Sequence, residues 1–192
     1  MRAPTAIAAV ASIIVAACTA QPVATPTDQF WAQLSSLCDK AFPGAVVEAP
    51  AGDSTFANKS LTMHVRECSD SVVRVPFHVG DDRSRTWVIT RTAHGIRLKH
   101  DHRHVDGQPD SVTQYGGDSR APVMSGRVEF PADSQTKALI PAAATNVWTV
   151  EIDTAQSRFA YALRREGTTR RFRVEFDLSR PVAAPPAPWG SQ

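Results

Sequence analysis

Cysteine is scarce in this chain, three in 192 residues, and no two form a Cys-x-x-Cys pair, which excludes thioredoxin-type dithiol chemistry. No glycine-rich loop follows a strand, so a phosphate-cradling nucleotide fold is excluded. Charge of one sign is also missing. With 21 basic and 19 acidic side chains the net is +2, too balanced for a nucleic-acid surface. No apolar run approaches the roughly 20 residues needed to span a bilayer as a helix; the longest, Ala6 to Ala17, is about a dozen. Ser84 has no evident base or orienting acid, so a serine-hydrolase triad is unsupported. No histidine follows His104, and there are no internal repeats.

That short apolar run has a charged start, Met1-Arg2, and ends in small residues, the pattern of a secretory signal over residues 1–17. Its end, Val15-Ala16-Ala17-Cys18, resembles the lipobox of bacterial lipoproteins. The resemblance implies cleavage before Cys18, which then carries the acyl chains that hold the protein in the membrane. Thr19 stands where an aspartate would imply inner-membrane retention, so the implied address is the outer membrane, facing the periplasm. Residues 18–27 form a lipidated tether, kept extended by two prolines. Once Cys18 is acylated, Cys38 and Cys68 remain, and an oxidising compartment pairs them as a disulfide.

One β-rich domain is expected over 28–180, followed by a proline-rich tail over 181–192. Thr25 as N-cap, Pro26 at the first position and Asp28 in the first turn open a helix. Phe30, Leu34, Leu37, Cys38 and Ala41 continue it at helical spacing until Phe42-Pro43-Gly44. From Leu61 onward the period is two. Leu61, Met63 and Val65 alternate with polar residues, as do Val73 to Val79, Trp87 and Ile89, and Ile96 and Leu98. Trp148 to Ile152, Phe159 to Leu163 and Phe172 to Leu178 do the same. A single helical turn is placed between Asp133 and Ile140, and Tyr115-Gly116-Gly117-Asp118 reads as a tight loop. Such strands in series predict a mainly β fold, an antiparallel meander barrel behind an N-terminal helix, with a β-sandwich as the alternative. The order of elements resembles the lipocalin-like superfamily. The mature domain also resembles uncharacterised secreted proteins of proteobacteria.

Lys99 to Gly107, "KHDHRHVDG", carries three of the six histidines. A hairpin turn at His94-Gly95 would set Trp87 opposite His102 and Arg85 opposite His104. A second turn at Asp106 to Pro109 would set Thr113 opposite His102 and Tyr115 opposite His100. His100, His102 and His104 then continue the apolar face of their strand. The candidate pocket is Trp87, His100, His102, His104, Thr113 and Tyr115, with Arg85 at the rim, for a small apolar or anionic ligand. Imidazoles in such a row are expected to titrate near neutrality. The rival reading is a metal-binding protein or metal-dependent enzyme. Neighbouring pairs from His100, His102 and His104 would hold zinc or copper, with Asp106, His64 or His78 as third ligand. His102 to Asp106 also resembles the start of the metallo-β-lactamase metal motif, but Gly107 replaces its next histidine, which excludes that relation. The expectation is a monomeric, lipid-anchored envelope protein, a binding or structural module rather than an enzyme, partnered by the membrane and not by nucleic acid.

Overall fold

The computed structural model describes residues 23–191. The signal segment, the lipobox and Cys18 lie outside them. The chain begins with helix α1 (Pro26–Ser35). As its sequence dictates, Thr25 caps it, its hydroxyl accepting from the Asp28 N–H while the Asp28 carboxylate accepts from the Thr25 N–H. The helix is shorter than its periodicity predicts. After a C-cap at Ser36 the chain reverses through Asp39 at φ 62°, and the Asp39 N–H donates to the Val65 carbonyl. Strand β1 (Lys40–Glu48) then runs through Phe42-Pro43-Gly44, the stretch read as a helix stop. Gly44 belongs there because the Phe176 ring lies where a Cβ would point, 2.5 Å away.

Ten further strands follow: β2 (Leu61–Val65), β3 (Glu67–Cys68), β4 (Val72–Val79), β5 (Asp82–Thr92), β6 (Gly95–His102), β7 (Tyr115–Asp118), β8 (Arg127–Pro131), β9 (Asn146–Asp153), β10 (Arg158–Arg165) and β11 (Arg171–Asp177). Helix α2 (Ser134–Leu139), capped by Asp133, and a 3-10 turn at Pro141–Ala143 lie between β8 and β9. All the strand pairs are antiparallel, in the order β7-β6-β5-β4-β2-β1-β11-β10-β9-β8, with β3 beside β4 off that path. This is a meander whose first and last strands pair, Val46 facing Val174, and whose ring is nearly closed.

The seam falls between β7 and β8. Two backbone bonds cross its ends, Arg120 N–H to Glu129 O at 2.7 Å and Asp133 N–H to Gly116 O at 2.9 Å. Thr136 of α2 finishes the closure. Its hydroxyl accepts from the Gly116 N–H (2.7 Å) and donates to the Gly116 carbonyl (2.8 Å). Tyr115-Gly116-Gly117-Asp118 is therefore strand β7 and not a loop. Its glycines permit the seam: a Cβ on Gly117 would lie 1.9 Å from the Pro131 carbonyl oxygen.

The predicted alternation holds in β2, β4, β9 and β11, whose inward residues are buried. Each large side chain so buried contributes about 1.5–3 kcal/mol. The interior is filled along most of its length. Phe77, Trp87, Phe159 and Phe176 stack or meet edge-on there, with centroids 5.0–6.3 Å apart. Phe30, Trp31 and Leu34 of α1 join that core. Asp28 pairs with Arg91 near the β5–β6 turn, which places α1 at that end of the barrel. A disulfide joins Cys38 to Cys68, tying the end of α1 to β3. The tail is held to the outer wall: the Val182 N–H donates to Ala41 O, the Trp189 N–H to Arg83 O, and Arg83 Nη1 to Ala187 O.

Candidate functional site

At the end opposite α1, where β5, β9 and β11 begin and β6 and β10 finish, the filled interior gives way to a cavity of about 360 Å³. That volume lies in the range of small-molecule sites. The Trp87, Trp148, Tyr115, Tyr161, Phe77 and Leu163 side chains line it, as do Phe56, Phe172, Ile140 and Ala143. Both tyrosines of the chain and two of its four tryptophans are here.

Strand parity carries the histidines into it, through a register shifted by two residues. The β5–β6 turn is Ala93-His94, so Trp87 faces His100 and Arg85 faces His102. The predicted pairs were His102 for Trp87 and His104 for Arg85. A slip of two preserves faces, since side chains alternate with period two. His100 therefore still points inward, opposite Tyr115 as expected.

The second turn departs further. Arg103 faces Pro109 in an isolated bridge, and the return chain carries extra residues before Tyr115, with Gln114 at φ 58°. Strand β6 ends at His102. His104 and Asp106 fall on the following loop, exposed, and do not join the cavity. Thr113 is displaced from the lining too: its hydroxyl accepts from the His102 backbone N–H (2.8 Å) and donates to Asp101. It fixes the strand end that presents His102. His78 is buried on the outer wall, and His64, also outward, is half-buried. The metal set of His100, His102, His104 and Asp106 is thus not assembled. Among the described residues no three His, Cys, Asp or Glu side chains are grouped to hold a metal ion.

Hydrogen bonding determines the state of His100. Its Nδ1 lies 3.0 Å from the Tyr115 carbonyl, which can only accept, so Nδ1 carries the proton. Nε2, at 2.7 Å from the Tyr161 hydroxyl, must then accept, and Tyr161 donates. The ring stacks on Tyr115 at 4.4 Å and is 3 % exposed. Burial drives its pKa down to about 3, so it is neutral at physiological pH. His102, with Nε2 3.0 Å from the Tyr115 hydroxyl, is also lowered, by burial and then by Arg85. Burial pushes Tyr115 up to about 12 and Tyr161 well above its ordinary value. Burial thus favours the uncharged form of every one of these groups, and the expectation of titration near neutrality is overturned by desolvation at His100.

The mouth is different. Arg85 is paired with Asp82. Arg165 donates through Nε to Asn146 Oδ1 at 3.0 Å, and Arg170 lies across the β10–β11 turn. Among the described residues neither Arg165 nor Arg170 has a carboxylate within ion-pair distance. Among the described residues Asp53 is the one acidic group in the lining, its carboxylate accepting from the Thr55 N–H.

Of the expected pocket, Arg85, Trp87, His100, His102 and Tyr115 come together. Tyr161 and Trp148 are additions whose inward parity in Phe159 to Leu163 and Trp148 to Ile152 signals them. Asn146 and Arg165, at the ends of β9 and β10, continue those same parities. Phe56 and Arg170 have no such signal, because residues between strands carry no period. No protein-family model, curated protein or solved structure matches this chain.

Proposed function

We propose that this chain is a lipid-anchored cell-envelope protein whose barrel binds a small molecule at one end. One observation carries the binding reading: the core is packed along most of the barrel, yet at one end aromatic walls, neutral polar groups and free arginines surround about 360 Å³. A purely structural barrel has no need of that void, since unfilled volume costs stability. The histidine–tyrosine chain suits recognition: donor and acceptor are fixed between Tyr161 and His100, and burial favours the uncharged form of all four rings. The anchor rests on Val15 to Cys18, and the disulfide agrees with an oxidising compartment.

Calorimetric titration of the detergent-solubilised full chain with indole, against a detergent blank, tests the binding reading. Saturable one-to-one uptake is expected. Thr55→Trp, at an exposed position on the mouth, should weaken it at least tenfold. Absence of saturable uptake would leave a purely structural barrel. In a bacterial host, radiolabelled palmitate should enter the wild-type chain and not Cys18→Ala.

A further inference from the structure

We infer that the molecule this pocket takes is a planar aromatic acid, its acidic group at the mouth against Arg165 and Arg170 and a hydroxyl at the buried end against Tyr161. The inference rests on the binding reading above and names the chemistry of the ligand. Three observations converge on it.

The first is wall shape. Trp87 and Tyr161 stack at 4.3 Å with planes 16° apart, and Tyr115 lies across His100 in the same way, planes 11° apart. Each pair spends one ring face on its partner, and Trp87 also meets Phe77. The cavity is nonetheless lined by rings, Trp148, Tyr115, Tyr161 and Phe172 among them. Such a lining favours a flat guest, because offset stacking adds to the burial of apolar area.

The second is the charge at the mouth. Three arginines and one aspartate line the cavity, and its histidines are neutral. Asp82 already occupies Arg85. Arg165 spends only its Nε on Asn146, and among the described residues the Arg170 side chain makes no hydrogen bond. Guanidinium nitrogens left free beside an apolar cavity match a carboxylate in geometry as well as charge.

The third is the polarity of the buried end. The Tyr161 proton is committed to His100 Nε2, as the Tyr115 carbonyl dictates. What the Tyr161 oxygen offers is therefore an acceptor. A ligand hydroxyl that reaches it donates, and a bare hydrocarbon end leaves that capacity unused. A hydroxyl at one end and an anion at the other define the class.

Calorimetry on the detergent-solubilised full chain separates the alternatives, with 4-hydroxycinnamate, its neutral alcohol 4-hydroxycinnamyl alcohol, and cinnamate as probes. The acid should bind at least tenfold more tightly than the alcohol, and more weakly in high salt. Arg170→Gln, at an exposed residue, should weaken the acid at least fivefold and leave the alcohol within twofold; Arg165→Gln should act in the same sense. Tyr161→Phe should abolish the preference for 4-hydroxycinnamate over cinnamate. Equal affinity for acid and alcohol, or an unchanged acid affinity in both arginine variants, overturns the inference. If indole binds and the acids do not, the ligand class is wrong and the pocket stands. If indole also fails to bind, the pocket reading itself has failed.

Discussion

His100 and His78 are buried by the barrel, 3 % and 4 % exposed, and burial lowers their pKa values to about 3 and about 4 from an ordinary 6.5. The unfolded chain takes up a proton on each near pH 6.5, and the native chain does not. Both contributions to stability are therefore intact above that pH and are lost progressively as pH falls towards the native values. Between pH 7 and pH 5 each histidine should cost up to about 2 kcal/mol. Among the described residues His78 Nε2 has no hydrogen-bond partner, so His78→Leu sacrifices little at pH 7 and should remove its share of the acid sensitivity. Urea midpoints at the two pH values check this; an unchanged difference between them would refute it. Residues also explain part of what was legible. Thr25 and Asp28 cap α1 as their identities require, since capping depends on neighbours a few positions away. His104 was misplaced because nothing local announces that β6 stops at His102.

Elements obey their periodicity only as far as tertiary pairing lets them. The helical spacing of Leu37, Cys38 and Ala41 gives way to a turn and then to strand pairing, because β1 pairs with both β2 and β11 and so joins the two halves of the ring. The seam is a second case. Gly116 and Gly117 look like a loop in sequence, yet they form a strand against the β8 end because lack of a Cβ permits the backbones to meet. Thr136 then bonds both polar groups of Gly116. Thr136→Val should destabilise by about 1–3 kcal/mol, as it leaves the buried Gly116 N–H without a partner while the Gly116 carbonyl keeps the Asp133 N–H. Hydrogen exchange should accelerate at Gly116 and Gly117 before the β4–β5 pair. A stability within about 0.5 kcal/mol of wild type would show that the seam is closed by other means.

At the scale of the whole molecule, the barrel couples a packed half to an open one. The Cys38–Cys68 bridge spans 30 residues, and in the chain-entropy model closing such a loop is worth about 3–4 kcal/mol. Reduction should lower the unfolding free energy from urea titration by that amount while the cavity, at the far end, keeps its affinity for indole. Loss of binding on reduction at a temperature where the fold persists would mean the two ends are not independent.

Face assignment is what this sequence determined by itself. Alternating apolar residues, the capping box, and the inward parity of Trp87, His100 and Tyr161 follow from contacts between near neighbours, and a two-residue slip in register leaves them untouched. The tertiary structure alone decided where the strands end, how the ring closes, and which loops meet at the mouth. It also decided that the histidines stay neutral. Those outcomes depend on groups far apart in the chain and on how completely the fold removes them from water, and neither quantity is written in any local pattern.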